Sequence, residues 1–176
     1  MKKILIIFAI CLLFTGCTLV PRNRVERKVG SNVITTDYGS YTIPETWIKS
    51  EEHSTYSKYF FYNPTDSHNP PNNISVERGT NYYSKEDHIR FRQAILEQIG
   101  NQIKPYNGTV TSSGSTSKNG YIVYTFNIEG TGGKTIQHYI IGDYEYVLVH
   151  ETIWTGNGTD CNNAAKTIVD SFEWKK

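Results

Sequence analysis

The order of the elements read from the sequence predicts an α+β domain: strands, a helix, more strands and a second helix. Period-two alternation indicates strands over residues 73–80 and 135–154, while apolar residues at helical spacing indicate a helix over residues 91–103. Both faces of the 135–154 hairpin are apolar, which favours other elements packed on both sides of the sheet. We therefore expect an α/β/α sandwich around an antiparallel sheet.

The first part of the domain reads as three strands. Residues 40–43 form a short strand stopped by Pro44, and residues 55–64 form an aromatic strand that ends at a proline turn. The stretch 64–73, with "TDSHNPPNN", has the composition of a loop. Residues 73–80 then alternate between the two faces of a strand.

The clearest helix follows this strand. Ser84 is a good N-cap residue, and Glu86 and Asp87 lie in the first turn, where the helix dipole favours negative charge. Pro105 lies just past the predicted end. The apolar face of this helix consists of Phe91, Ile95, Leu96, Ile99 and Ile103.

Turn signals divide the next segment. The serine-rich stretch "TSSGSTSKNG" is interpreted as loop, with a variable turn at 112–120, and a strand follows its Asn-Gly pair. "GTGGK" (130–134) reads as a hairpin loop. The hairpin 135–154 is expected to turn at Gly142-Asp143, with Gly142 supplying the positive φ of a type II′ turn. One face carries Ile136, His138, Ile140, Val147 and Val149, and the other carries Tyr139, Ile141, Tyr144, Tyr146 and Leu148.

A second helix closes the chain. Asp160 can cap it, and one apolar stripe runs along Cys161, Ala164, Ala165, Ile168 and Phe172. Cys161 is therefore interpreted as a small core residue, and a reactive thiol is the alternative.

The N-terminus has the three parts of a secretory signal peptide. Lys2 and Lys3 precede an apolar run of about eleven residues, well short of the roughly 20 that a membrane-spanning helix needs. The following "FTGC" resembles the lipobox of bacterial lipoproteins, in which the cysteine is acylated and becomes the new N-terminus. That resemblance implies lipidation (palmitate is a typical acyl chain) at Cys17. The alternative is a retained N-terminal anchor helix.

Composition supports one domain behind a tether. Residues 1–16 are predicted to be the signal peptide, 17–32 a lipidated tether and 33–176 the domain. Without Lys2 and Lys3 the chain has 16 basic and 17 acidic residues, so no overall field would attract nucleic acid. Four basic residues of the tether could contact anionic headgroups or simply keep it solvated: Arg22, Arg24, Arg27 and Lys28.

Several segments together resemble the PsbP-like superfamily, named after the PsbP protein of the oxygen-evolving photosystem II. They are "YTIPETW", the central helix, the hairpin containing "YEYVLVHET" and the closing "AAKTIVDSFEW", and they span roughly residues 37–174. The resemblance implies an α/β/α sandwich and a non-enzymatic binding or accessory role at a membrane. It implies no shared catalytic residues.

The sequence shows no pattern typical of catalysis or metal binding. The five histidines lack the tight spacing of metal sites, and His138 and His150 are expected on opposite faces of the hairpin. There is no G-x-S-x-G motif, and "GTGGK" lacks the spacing of a P-loop. We expect no cofactor and no metal ion.

Three aromatic residues are candidates for a binding surface. Tyr82 and Tyr83 precede the central helix, and Trp154 ends a strand beside the "GNG" turn. If they are exposed, they could stack on sugars or contact a partner protein. The alternative is that they pack in the core.

These observations predict a lipid-anchored protein of the cell membrane that faces outside the cytoplasm. We expect a binding or accessory role in the bacterial cell envelope, with an envelope protein as partner. The alternatives are a small-ligand-binding lipoprotein, with a pocket between sheet and helix, and an envelope hydrolase acting on cell-wall material.

Overall fold

Two antiparallel sheets and two α-helices make up the domain in the computed structural model, which describes residues 32–130 and 133–176. The signal peptide, Cys17 and all of the predicted tether except Asn32 lie outside these residues. The strands are β1 (Val33–Thr35), β2 (Gly39–Thr42), β3 (Ile48–Lys49), β4 (Lys58–Tyr62), β5 (Asn73–Thr80), β6 (Thr109–Thr116), β7 (Ile122–Gly130), β8 (Gly133–Ile141), β9 (Glu145–Ile153) and β10 (Glu173–Trp174). The helices are α1 (His88–Ile103) and α2 (Thr159–Ser171).

The large sheet has seven strands in the order β3-β4-β5-β9-β8-β7-β6, and every neighbouring pair is antiparallel. The small sheet has the order β1-β2-β10, so strands from both ends of the described chain flank β2. Helices lie on both faces of the large sheet, as predicted for an α+β sandwich.

The core on one face of the large sheet is packed against α1. Its buried residues include the predicted apolar face of the helix, except that Leu96 is only partly buried at the edge. Ser84 makes no side-chain cap and precedes a single 3-10 turn, so the α-helix begins at His88, later than the sequence suggested. The buried residues of this core are Phe91, Ile95, Ile99, Ile103, Tyr124, Phe126, Ile128, Tyr139, Ile141, Tyr146 and Leu148.

The core on the opposite face lies beneath α2 and the small sheet. Helix α2 packs on β9, β5 and β2. Its N-cap is Gly158, in a left-handed conformation, and Asp160 lies in the first turn instead of capping the helix. Phe172 follows the helix in an extended conformation, is fully buried and packs against Tyr38 and Trp174. Cys161 is a buried free thiol in this core, and burial is the main cause that raises its pKa far above the ordinary value.

The turn between β8 and β9 differs from the prediction. Ile141 pairs with Tyr146 and the N–H of Gly142 donates to the Glu145 carbonyl, so Asp143 and Tyr144 form the two-residue turn. Tyr144, with φ of 59°, takes the left-handed conformation that the sequence assigned to Gly142. Gly142 has another role, because a Cβ there would press on the Trp174 ring at 2.8 Å.

Strand β6 replaces most of the serine-rich loop predicted before the Asn-Gly turn. It pairs with β7 over eight residues, and only the connection after Thr116 is a turn. Helix α2 does not extend over these outer strands, so one face of β6 and β7 is lined by exposed or half-buried polar side chains. These are Thr111, Ser113, Ser115, Thr125 and Asn127.

Within residues 32–130 and 133–176, no helix combines the length and apolar character needed to cross a membrane.

Candidate functional site

Two exposed tyrosines lie at the end of the large sheet where β8 turns into β9, and we call this surface the tyrosine corner (Tyr82 and Tyr144). Tyr82 is 73% exposed and Tyr144 is 55% exposed. The N–H of Tyr144 donates to the Tyr83 carbonyl at 3.1 Å, and the N–H of Asn81 donates to the Tyr144 carbonyl at 2.8 Å. These two bonds fix the turn against the 81–85 segment, so Tyr82 and Tyr144 lie at the same end of the large sheet.

Tyr144 holds this position in a backbone conformation that is unfavourable for a bulky residue. A left-handed φ costs about 1–2 kcal/mol for an L-residue with a Cβ, and turns that need it usually use glycine or asparagine. The neighbouring Asp143 adds a third link, since its carboxylate accepts a hydrogen bond from the N–H of Lys85 at 3.2 Å. The surrounding hydrogen bonds therefore maintain an exposed aromatic ring at a strained turn, which is a feature that clusters at functional sites.

Tyr83 does not join this exposed surface. It is partly buried, its ring packs edge-on against Phe91 at 6.1 Å, and Arg90 lies over its face at 6.0 Å. Tyr83 thus packs at the edge of the α1 core, in agreement with the core-packing alternative.

Trp154 lies at the other end of the sheet. It is 40% exposed, and its backbone N–H donates to the Asn72 side chain at 2.8 Å. Strand β9 separates it from the tyrosine corner, and nine residues of strand span about 27 Å. The three aromatic residues picked from the sequence therefore do not form a single site.

A polar chain runs across the face of the large sheet that packs against α2, buried at Glu151 and half-buried at His138 and Thr125. Glu151 is 1% exposed, and His138 Nε2 donates to its Oε1 over 2.7 Å. On the other side of the imidazole, His138 Nδ1 lies 2.9 Å from Thr125 Oγ1. Glu151 also contributes to the raised pKa of the Cys161 thiol, behind the larger effect of burial.

The hairpin pattern predicts His138 on this face, but the sequence alone does not indicate that it pairs with Glu151. A signal for the shared face is present, because continuing the period-two pattern from Val147 and Val149 reaches Glu151. His150 lies on the α1 face, as expected, and burial lowers its pKa to about 4.

The chain from Thr125 through His138 to Glu151 has the order of nucleophile, base and acid in hydrolases. Acyl transfer also needs free N–H donors for the developing oxyanion. Thr125 lies in mid-strand between β6 and β8, where neighbouring N–H groups are used by the sheet ladder.

Within the described residues, no group of three or more His, Cys, Asp or Glu side chains is arranged to hold a metal ion.

A polar groove of about 370 Å³ lies beside the start of α2. Asp66 accepts hydrogen bonds from both the backbone and the ring of His68 and from the N–H of Asn72. Although partial burial acts to raise it, the pKa of Asp66 is lowered by these bonds. Asn72 connects the loop before β5 to the segment after β9, because its side chain forms hydrogen bonds with the backbone of Trp154 and Thr155.

Comparisons with known proteins identify the fold. No family model and no curated protein matches the sequence. Among solved structures, the chain is similar to cyanobacterial PsbP (CyanoP) from Synechocystis, with a TM-score of 0.54 and 10% identity over 89% of this chain and 100% of that one. It is also similar to a Bacteroides thetaiotaomicron protein (TM-score 0.44, 14% identity), covering 78% of this chain and 45% of that protein. The chain therefore has a PsbP-like α+β fold.

Proposed function

We propose that this protein is a lipid-anchored component of the bacterial cell envelope whose PsbP-like domain binds a partner protein and performs no catalysis of its own. The lipobox-like "FTGC" supports acylation of Cys17. The anchor would hold the domain at the outer side of the cell membrane, within reach of other envelope proteins.

The tyrosine corner is the observation that carries the binding role. Tyrosine is enriched at protein interfaces because its ring gives a large contact area and its hydroxyl can still form hydrogen bonds. Tyr82 and Tyr144 are each more than half exposed, and backbone hydrogen bonds join Tyr144 to Asn81 and Tyr83, the two neighbours of Tyr82. A surface fixed in this way loses little entropy when a partner covers it.

Photo-crosslinking in the native membrane tests this role. A photoreactive phenylalanine analogue at Tyr82 should capture a specific envelope protein, while the same analogue at Tyr56 is the matched control. Tyr56 is 90% exposed but lies on the β3–β4 loop, away from the corner. Capture of the same proteins from both positions, or of none from Tyr82, would contradict the proposal.

The anchor is tested separately with Cys17→Ala. The wild-type chain should fractionate with membranes and gain the mass of a diacylglycerol-type modification, and the variant should lose both properties. If the variant keeps membrane attachment with an unchanged mass, the chain is held by a retained N-terminal helix instead.

Binding of a small polar ligand is a second candidate, favoured by the groove between Asp66 and α2. Its volume lies within the range of about 300–1,000 Å³ that ligand sites occupy. A thermal-shift screen of cell-wall sugars and peptides, repeated with Asn72→Ala, would reveal it. If the protein is instead an envelope hydrolase that uses Thr125, His138 and Glu151, the same compounds should be cleaved.

A further inference from the structure

Strand β6 forms a long free edge of the seven-stranded sheet. It is paired only with β7, extends over eight residues and contains neither proline nor a charged residue. Natural sheets usually protect such edges with charges, prolines, bulges or very short strands. The opposite edge follows this rule, since β3 has two residues.

The register shows which backbone groups of β6 point outward. The N–H of Ser117 donates to the Tyr121 carbonyl at 2.9 Å and closes the β6–β7 hairpin. Hydrogen-bonded and non-bonded pairs alternate along an antiparallel ladder, so Ser115, Ser113 and Thr111 bond to β7. The residues whose N–H and C=O groups point away from the sheet are Val110, Ser112, Gly114 and Thr116.

One side chain of α1, that of Arg92, bonds to a backbone group of β6 that the register assigns to the outward side. Arg92 Nη2 donates to the Ser112 carbonyl at 3.0 Å and to its Oγ at 2.9 Å. The guanidinium group also lies over the Tyr124 ring, 5.4 Å from its centroid. Arg92 therefore holds a positive charge at the middle of the free edge.

The charge of Arg92 distinguishes between possible occupants. No carboxylate of the described residues forms an ion pair with it. A second copy paired through its own β6 would bring two Arg92 side chains close together, and like charges repel. An extended segment with a carboxylate opposite Arg92 would instead form a charge-assisted pair with its guanidinium group.

We propose that the β6 edge binds an extended acidic segment of a partner protein by strand addition. The outward groups of Val110, Gly114 and Thr116 and the N–H of Ser112 supply main-chain hydrogen bonds, while Arg92, bonded to the Ser112 carbonyl, selects an acidic side chain at the centre of the segment. This surface is separate from the tyrosine corner, and the proposal does not depend on that corner or on the lipid anchor.

Synthetic peptides test the proposal on the purified full chain. The probe is a fluorescent eight-residue peptide of alternating threonine and valine with a central glutamate, and a peptide with lysine at that position is the control. We expect the glutamate peptide to bind at least about tenfold more tightly in anisotropy measurements, which corresponds to one well-formed charged contact. Binding should slow the amide hydrogen exchange of the four outward residues of β6.

Two kinds of variant distinguish the contribution of the Arg92 charge to peptide binding from that of main-chain strand pairing. Arg92→Gln should abolish the preference for glutamate over lysine. Thr116→Pro removes one outward N–H at an exposed position and should weaken both peptides, whereas Thr116→Ala keeps that N–H and should bind like wild type. Thermal unfolding of each variant shows whether it is folded.

Three results would overturn the proposal. One is equal binding of the two peptides by the wild-type chain. Another is slow exchange of the β6 amides in the free protein together with a concentration-dependent dimer, which would assign the edge to a second copy. The third is binding that Tyr82→Ala removes, because this would place the peptide on the tyrosine corner.

Discussion

Protonation of His150 should make the domain markedly less stable in mild acid. Burial lowers the pKa of His150 to about 4 in the folded chain, and smaller electrostatic contributions from Lys58 and His138 act in the same direction. The unfolded chain should bind this proton with a pKa of about 6.5. Because the unfolded state binds more protons between these values, the free energy of unfolding falls as the pH falls through this window.

The magnitude follows from the two pKa values. The full difference corresponds to about 3 kcal/mol, and about 2 kcal/mol of it is lost between pH 7 and pH 5. This is a large fraction of the 5–15 kcal/mol that typically stabilises a domain. Below pH 4 both states carry the proton, so this contribution does not change further.

Urea unfolding at a series of pH values measures this effect. The His150→Gln variant should lose about 2 kcal/mol less than wild type between pH 7 and pH 5. Ser75→Ala is the matched control, because Ser75 pairs with His150 across β5 and β9 and carries no titratable proton. If wild type and His150→Gln show the same pH dependence, His150 is not held neutral in the folded protein.

Three further predictions concern the core and the turn. Glu151→Ala should lower the free energy of unfolding by about 3–5 kcal/mol in urea titrations, since it breaks the buried pair with His138. Glu151→Gln should lower the free energy of unfolding by less. Equal losses in the two variants would show that the charge of Glu151 is unimportant for stability. Gly79→Ala should destabilise strongly because its Cβ would overlap the Tyr146 ring, whereas Gly100→Ala in α1, with open space around its Cβ, should raise the free energy of unfolding by about 0.5–1 kcal/mol; a reversed order in thermal melts would refute this packing. Tyr144→Gly should raise stability by about 1 kcal/mol through relief of the left-handed φ while weakening crosslinking at the tyrosine corner; a loss of stability would mean that the ring itself holds the turn.

The sequence predicted those helices and strands in which buried residues recur at regular spacing. Strand β5, the apolar face of α1 and the two faces of the β8–β9 hairpin were all predicted, because each contacts the core on a repeating set of positions. Strand β6 was not predicted, because residues 109–116 are mostly polar on both faces and lie at the sheet edge. A strand held mainly by backbone hydrogen bonds leaves little hydrophobic pattern.

Tertiary contacts explain the other differences. The turn was assigned to Gly142 because glycine favours a positive φ, yet that glycine is needed for the close approach of Trp174. The pair of His138 and Glu151 depends on the register between β8 and β9, which local sequence patterns do not specify. Of the two exposed tyrosines, the sequence indicated Tyr82 as a candidate binding residue, whereas Tyr144 was expected on a face of the hairpin that needs cover.

The three-stranded sheet has a mechanical consequence for an anchored domain. Tension applied from the N-terminal side enters the described residues at β1, which is held to β2 by three residue pairs, while β10 holds the other side of β2. Neither β1 nor β10 pairs with the seven-stranded sheet that carries the tyrosine corner and the β6 edge. If the chain is anchored as proposed, a pull on the anchor would load the small sheet first, and β1 would detach while the two proposed binding surfaces keep their shape.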